Sequence, residues 1–162
     1  MLVLGLDPGL AITGYGFVEG DGDNLRALSY GVLRTSPHLP LAERLLRLHE
    51  ALSQLLTRYH PDIVALEELF FSTNARTAIT VGEARGVLLL TVAEANLRVV
   101  EYTPLQVKQA ITGYGQADKA QMQQMVRLLL NLAEIPRPDD AADALAVSIC
   151  HHHSARMAKL LE

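Results

Sequence analysis

Short apolar runs predict strands near the start of the chain. Residues 2–6 are apolar apart from one glycine, a pattern typical of a strand buried on both faces. Apolar positions resume at Tyr15, Phe17 and Val18, and they alternate with polar positions over residues 25–34. The pattern therefore predicts three strands, of which the second and third pair across the polar turn at residues 20–24.

In the rest of the chain, apolar residues that recur every three or four positions predict helices, and short apolar runs predict two further strands. Leucines spaced by three or four residues between positions 41 and 55 predict an amphipathic helix that ends before Pro61. The remaining predicted elements are strands at 63–66 and 97–102 and helices at 75–96, 104–111, 118–132 and 139–159. This order predicts an α/β fold with a mixed five-stranded sheet and helices on both faces, in a single domain spanning residues 1–162.

Composition narrows the class of protein. The chain is 49% hydrophobic and 20% charged, which indicates a globular protein rather than a disordered one. Because it lacks both a long apolar stretch and a basic, apolar leader, we expect a cytoplasmic protein without a membrane span. Cys150 is the single cysteine and is expected in the core. The net charge of −4 argues against extensive non-specific binding of nucleic acid but is compatible with a local basic patch that faces it.

The first candidate for chemistry is Asp7, which directly follows the first apolar run. A carboxylate so close to a core needs a partner, because burying an unpaired charge is costly. The glycines at positions 9, 14 and 16 keep side chains away from it, which suits a site for a metal ion or a phosphate. The alternative is that Asp7 caps the turn that follows, as aspartate often does.

Glu67 and Glu68 repeat this arrangement at the end of the fourth strand. In open α/β sheets, sites gather beyond the carboxyl ends of the strands, where Asp7 and one glutamate could meet. Side chains alternate along a strand, so only one of the two glutamates is expected to face the site. The alternative is a solvated acidic pair.

A third acidic group begins the last helix. Asp139 is predicted to be its N-cap. Asp140 and Asp143 are three residues apart and share one helix face, and the alanines around them let the helix approach the sheet closely. Such a pair suggests metal ligation.

Together, Asp7, Glu67, Asp140 and Asp143 form a candidate metal site. Oxygen-rich clusters select hard cations such as Mg²⁺ or Mn²⁺, and two such ions can activate a water and stabilise a leaving oxygen in phosphodiester cleavage. The consecutive histidines at 151–153 cannot share one helix face, so we expect a polar cluster at the end of the helix rather than a zinc site.

These segments resemble the RuvC family of Holliday junction resolvases, nucleases of the ribonuclease H-like superfamily. The similarity runs in order from Leu2 to about His153. The matching segments are Gly5-Leu6-Asp7-Pro8-Gly9, Thr13-Gly14-Tyr15-Gly16, Ala65-Leu66-Glu67-Glu68-Leu69-Phe70, Asn74-Ala75, Ala84-Arg85-Gly86-Val87, Gln106-Val107-Lys108-Gln109, Met125-Val126-Arg127 and Asp140-Ala141-Ala142-Asp143-Ala144-Leu145-Ala146.

The resemblance implies a function and its partners. It implies a homodimer that binds a four-way DNA junction and makes paired, sequence-selective nicks in strands of like polarity. For the carboxylate cluster we expect Mg²⁺, for which Mn²⁺ substitutes, with two ions per active site. The resemblance also implies the branch-migration partners RuvA and RuvB. It matches Glu67, rather than Glu68, to the catalytic glutamate, and it matches Asp140 and Asp143 to the helix pair, with Asp139 left as the cap.

The resemblance also implies DNA contacts. Phe70 matches a residue that stacks on a base near the crossover, whereas we expect Phe71 to pack under the following helix. Lys108 and Lys119 match lysines near the scissile phosphate. Arg76, near the start of the long helix, could reach a phosphate of the junction.

Three other classes share parts of the pattern. Nucleotide-binding proteins of the actin and sugar-kinase superfamily also carry an aspartate and glycines on their first strands, but they need a second domain for which 162 residues leave no room. A non-catalytic junction-binding module would lack carboxylates, and none of the four is missing. The segments around Phe70 and Lys108 distinguish the chain from YqgF-like nucleases.

Overall fold

The computed structural model describes residues 1–21, 24–68 and 74–160, in which five strands and five helices are present. The strands are β1 (Leu2–Asp7), β2 (Ile12–Asp21), β3 (Asn24–Arg34), β4 (Ile63–Glu67) and β5 (Val99–Tyr102). The helices are α1 (Leu41–Tyr59), α2 (Ala75–Glu94), α3 (Pro104–Thr112), α4 (Lys119–Leu129) and α5 (Asp139–Leu160). Every predicted element is confirmed, with ends that differ by a few residues.

The strands form one mixed sheet in the order β3-β2-β1-β4-β5. The first three strands are antiparallel neighbours, and β1, β4 and β5 run parallel. The parallel arrangement brings the carboxyl ends of β1 and β4 to the same edge of the sheet, where Asp7 and Glu67 are the last residues of their strands.

One face of the sheet is covered by α1 and α2. Its core consists mainly of large aliphatic side chains, including Leu52 and Leu88, neither of which is exposed to solvent. Large side chains of this kind fill space between elements and supply most of the hydrophobic stabilisation, at about 2 kcal/mol for each fully buried leucine.

The other face is covered by α5, with α3 and α4 beside it. Here small residues meet the sheet: a Cβ atom on Gly5 would lie 2.0 Å from the carbonyl oxygen of Ala144, and Ser148 donates a hydrogen bond to the carbonyl of Gly16 at 2.8 Å. The helix backbone therefore lies almost directly on the backbones of β1 and β2.

Local signals explain several helix ends. Thr103 and Asp118 form capping boxes with Gln106 and Gln121, which fixes the start of α3 and places Lys119 at the first position of α4. His60 ends α1 in the left-handed conformation. No helix in the described residues is long and apolar enough to span a membrane.

Candidate active site

Asp7 lies at the end of β1 with its side chain half-buried. The turn that follows it is fastened by the buried Thr13, whose hydroxyl donates to the carbonyl of Gly9 at 2.6 Å and accepts from the Gly9 amide at 3.3 Å. Thr13 thus provides the hydrogen bonds of the Gly9 backbone in this turn. The carboxylate of Asp7 faces the other acidic groups instead.

Gly14 brings the last helix to Asp7. It pairs directly with Asp7 across β1 and β2, so both residues face α5. A Cβ atom on Gly14 would lie 2.0 Å from the backbone oxygen of Asp140. The sequence suggested that Gly14 and Gly16 leave space for a ligand. That expectation is corrected here, because the backbone and Leu145 of α5 fill this space.

Glu67 ends β4 on the same face of the sheet as Asp7. It follows Leu66, which packs under α1 and α2, so alternation directs Glu67 toward α5 and Asp143. Glu68 is exposed, and its backbone amide donates to the carbonyl of Tyr102 at 2.8 Å. The expectation that only one of the two glutamates faces the site agrees with this arrangement.

The three aspartates of α5 have different surroundings. Asp140 and Asp143 are half-buried and interact electrostatically with Asp7. Asp139 is the first residue of the helix rather than its N-cap, which corrects the sequence prediction. Its carboxylate instead accepts from Gln123 at 3.0 Å and forms an ion pair with Lys119 at 3.2 Å, because α4 lies beside the helix start.

Burial and mutual repulsion raise the proton affinity of this cluster. Burial, followed by the charges of Asp143, Asp140 and Glu67, raises the pKa of Asp7 to about 7. Burial and then the charge of Asp143 raise the pKa of Glu67. Burial also raises the pKa of Asp143, although Lys119 opposes the shift. Nearby carboxylates with raised pKa values are stabilised by any cation that binds among them.

Two lysines flank the carboxylates. Lys119 is exposed, and its ammonium lies 3.5 Å from Asp143, while Lys108 is half-buried and lowers the pKa of Glu67 against the larger effect of burial. Both lysines line a cleft of about 290 Å³ together with Glu67 and Asp143. A larger cavity of about 430 Å³ lies between the ends of α1 and α2, with Glu94 as its single carboxylate, so cavity size alone does not identify the site.

The donor chemistry of the cluster fits a hard cation. All four side chains offer carboxylate oxygens, and their repulsion would be relieved by a divalent ion. However, no three Asp, Glu, His or Cys side chains among residues 1–21, 24–68 and 74–160 already converge at metal-binding distances. The arrangement brings the four carboxylates into one electrostatic cluster without the tight convergence of a formed site.

The remaining predicted DNA contacts are Arg76 and Phe70. Arg76 is exposed at the second position of α2, whose start is capped by the Asn74 side chain, which accepts from the Arg76 amide at 3.1 Å. Phe70 and Phe71 fall outside the described residues. They belong to the segment that connects Glu68 to Asn74.

The histidines at 151–153 differ from the expected cluster at a helix end. The helix continues to Leu160, and His151 and His152 are buried. His151 bonds to the Tyr102 hydroxyl at 2.7 Å, His152 to the Val18 carbonyl at 3.0 Å and His153 to the Ala110 carbonyl at 2.8 Å. The three therefore fasten α5 to three other elements. Cys150 is buried as predicted, and burial raises the pKa of its thiol to about 11.

Arg85 is a polar residue of this region for which no role was predicted from the sequence pattern. It is only 8% exposed, and it donates to the backbone carbonyl of Glu67 at 3.0 Å and to the carboxylate of Glu101 at 2.5 Å. A charged residue within the apolar pattern of α2 was the signal that could have revealed it, because an arginine on a buried helix face needs partners.

Comparisons with known proteins converge on one family. A family model described as Crossover junction endodeoxyribonuclease RuvC matches residues 3–151. The protein of that name from Thermomicrobium roseum is 58% identical over 160 residues, which cover 99% of this chain and 98% of the relative. Its counterpart from Alkaliphilus oremlandii is 51% identical over 162 residues, which cover 100% of this chain and 99% of the relative.

Solved structures agree with the sequence comparisons. The structure of Thermus thermophilus RuvC in complex with a Holliday junction substrate is similar with a TM-score of 0.94 and 43% identity, over 98% of this chain and 96% of that one. A yeast mitochondrial Holliday junction resolvase shares the fold, with a TM-score of 0.69 and 15% identity over 98% of this chain and 82% of that one.

Proposed function

The chain belongs to the RuvC family of crossover junction endodeoxyribonucleases, and from this premise we propose how its residues cut DNA. It is a Holliday junction resolvase, an endonuclease of a metal-dependent family whose substrate is four-way junction DNA. Asp7, Glu67, Asp140 and Asp143 are the catalytic residues and the metal ligands of this activity.

One observation carries the assignment of these residues. Asp7 is a half-buried carboxylate whose pKa is raised to about 7 by burial and by three other carboxylates, which come from β4 and α5. Asp139 belongs to the same helix turn, but hydrogen bonds from Lys119 and Gln123 lower its pKa, whereas the pKa of Asp143 is raised although Lys119 also contacts it. The four interacting carboxylates are therefore the groups that gain most from a bound divalent cation.

We assign two Mg²⁺ ions to each active site, with Mn²⁺ as a substitute. Carboxylate oxygens are the ligands that these hard cations prefer. When bound, such ions activate the attacking water and stabilise the leaving oxygen of the phosphodiester. Lys108 and Lys119 hold positive charge in the cleft beside the carboxylates, where it attracts the DNA phosphate.

DNA binding involves Arg76 and Phe70. Arg76 is exposed where α2 begins and can contact a phosphate of the junction. Phe70 stacks on an unpaired base near the crossover, a contact worth about 1–3 kcal/mol per base. Because phosphate contacts supply most of the affinity, Phe70 contributes more to cleavage than to binding.

The nuclease acts as a homodimer, with α2 as the interface. Ile79 and Leu90 are 63% and 58% exposed, and Gly82 and Gly86 lie between them on one helical stripe that no other residue of the described chain covers. A second copy packed along this stripe would bury the exposed side chains. Two copies related by a two-fold axis would match the two cuts that resolving a junction requires.

The cellular setting follows from the same assignment. A single nuclease domain spanning residues 1–162 works in the cytoplasm, where RuvA and RuvB move the junction and supply it to the dimer. A net charge of −4 gives the chain little general affinity for DNA.

Cleavage by single variants tests the active site. Asp7→Asn should reduce the rate of junction nicking with Mg²⁺ by at least about 1,000-fold, because the ligand charge is lost, while junction affinity in EDTA changes less than about twofold. Glu67→Gln and Asp143→Asn should behave alike. Both properties are measured on one labelled four-way junction at fixed salt concentration.

Glu68→Gln is the matched control. Its side chain is next to Glu67 in the chain but exposed, so the rate should stay close to that of the wild-type protein. Normal nicking by Asp7→Asn, or a loss in Glu68→Gln as large as that in Glu67→Gln, would contradict the assigned site.

A further inference from the structure

Arg85 contacts the backbone of a proposed metal ligand rather than its side chain. Its guanidinium donates to the carbonyl of Glu67 at 3.0 Å, and this carbonyl belongs to the last residue of β4. The registered pairing of β1 with β4 ends one residue earlier, at Leu6 and Leu66. Arg85 therefore holds the strand end just beyond its last registered pair with β1.

The position of the guanidinium is itself fixed. Its second contact is the carboxylate of Glu101 at 2.5 Å, in the neighbouring strand β5. An arginine that donates to two acceptors at once has little freedom, because its donors form a planar fork. The side chain of Arg85 is 10% exposed, so solvent competes weakly for these donors.

Arg85 approaches Glu67 from the face of the sheet opposite the carboxylates. Arg85 comes from α2, which covers one face of the sheet, whereas Glu67 and Asp7 direct their carboxylates toward α5 on the other face. Arg85 is not among the residues that line the cleft with Glu67 and Asp143. Its contact with the site is the hydrogen bond to the backbone of Glu67.

We propose that Arg85 is a positioning residue for the metal site. By donating to both the Glu67 carbonyl and the Glu101 carboxylate, Arg85 fixes the position of the Glu67 backbone and thereby that of the Glu67 carboxylate. This inference rests on the proposed role of Glu67 as a metal ligand. A second consequence is that Arg85 joins α2 to the end of β4, the two elements that flank the segment containing Phe70.

The test measures binding of Mn²⁺ alone, by the electron paramagnetic resonance signal of the free ion, together with nicking of the junction. Arg85→Lys keeps the charge but cannot hold both acceptors in the same geometry. We expect it to weaken Mn²⁺ binding about tenfold, within the range seen when groups that orient metal ligands are changed. Junction affinity in EDTA should change less than about twofold.

A double variant separates positioning from general damage. If Arg85 acts through Glu67, then Arg85→Lys added to Glu67→Gln should not weaken Mn²⁺ binding further. Thr91→Val is the matched control, because Thr91 is a buried polar residue of the same helix that bonds to Val87 and His49, away from the carboxylates. It should lower thermal stability and leave Mn²⁺ binding unchanged.

The outcomes distinguish a failure of the positioning role of Arg85 from a failure of the ligand role of Glu67. Wild-type Mn²⁺ affinity in Arg85→Lys, a further loss in the double variant, or an equal loss in Thr91→Val overturns the positioning role alone. Unchanged Mn²⁺ binding in Glu67→Gln overturns the ligand assignment and the inference with it. If Arg85→Lys does not fold, Glu101→Gln decides the matter: a two- to fivefold weaker Mn²⁺ affinity supports the positioning role, and no change overturns it.

Discussion

The two faces of the sheet are packed in different ways. Under α1 and α2, large aliphatic side chains such as Leu52 and Leu88 fill the space between helix and strand. Under α5, glycine and alanine meet, and the carbonyl oxygens of Ala144 and Asp140 lie only 2.0 Å from the positions that Cβ atoms on Gly5 and Gly14 would take. One face is separated from its helices by side chains, and on the other the backbones are in contact.

The two kinds of packing contribute differently to the stability of the fold and to the positions of the carboxylates. Side-chain packing supplies hydrophobic stabilisation and tolerates small rearrangements, because rotamers can adjust. Backbone contact supplies less apolar burial, but it fixes the distance between α5 and the sheet and therefore the distance between Asp7 and Asp143. We expect substitutions on the two faces to have separable effects on stability and on cleavage.

Gly14→Ala is expected to have the largest combined effect on stability and on junction nicking. The added Cβ atom would lie 2.0 Å from the carbonyl oxygen of Asp140, so the start of α5 must move away from β2. We expect the free energy of unfolding to fall by about 3 kcal/mol. Junction nicking by the folded fraction should fall at least about 100-fold, because Asp140 and Asp143 move with the helix. Denaturant unfolding and nicking assays measure the two effects, and full activity would show that the backbone contact is dispensable.

Leu88→Ala should change stability without changing chemistry. Leu88 is fully buried between α2 and the sheet, and its truncation leaves a cavity. The expected loss is about 3 kcal/mol in the free energy of unfolding, with a nicking rate within about threefold of the wild type at a temperature where the variant is folded. A much larger loss of activity would mean that the two faces are not separable.

Asp7→Asn should stabilise the metal-free protein at high pH. The pKa of Asp7 is raised from 3.8 to about 7, so the folded state holds a proton that the unfolded state loses. The stability from this proton is fully present below about pH 4 and is lost as the pH rises toward 7 and beyond. The free energy of unfolding of the variant should therefore equal that of the wild type near pH 4. At pH 8 it should be larger than that of the wild type by about 2 kcal/mol.

Thermal unfolding in EDTA at several pH values measures this difference. Adding Mg²⁺ at pH 8 should raise the melting temperature of the wild type and have much less effect on Asp7→Asn, because the ion relieves the same repulsion. A pH-independent difference between the two proteins would contradict the raised pKa.

Gly82→Ala should have the smallest effect on folding, and of opposite sign to Gly14→Ala. An added Cβ atom on Gly82 meets nothing within 4 Å, and alanine favours a helix over glycine by up to about 1 kcal/mol. We expect a small gain in stability together with weaker self-association in sedimentation, because the new methyl group would separate the two α2 helices of the proposed dimer. Unchanged association would place the dimer contact elsewhere.

Much of this architecture could be predicted from sequence because it depends on local patterns. The apolar run before Asp7 and the leucine period of α1 each determine one element, and the order of elements determines the sheet. Glu67 was separable from Glu68 only in part, since alternation shows that one faces the site without showing which. The resemblance to a family supplied that choice.

Other features depend on contacts between distant segments and left no local signal. Asp139 looked like a cap because acidic residues favour that place, but its partners Lys119 and Gln123 come from α4. The glycines of β2 looked like space for a ligand, whereas α5 occupies that space. The histidines at 151–153 looked like a polar cluster at the end of the helix, yet the helix continues past them and each bonds to a residue of another element.

We expect the docking of α5 to determine when the enzyme becomes active during its synthesis. The hydrogen bond from Ser148 to Gly16 joins residues 132 positions apart, and Asp140 and Asp143 of the same helix interact electrostatically with Asp7. A ribosome-bound chain that lacks α5 can pair β1, β2 and β4 but has only two of the four carboxylates. Contacts between such distant residues form late, so nuclease activity should appear only when the last helix has left the ribosome and packed.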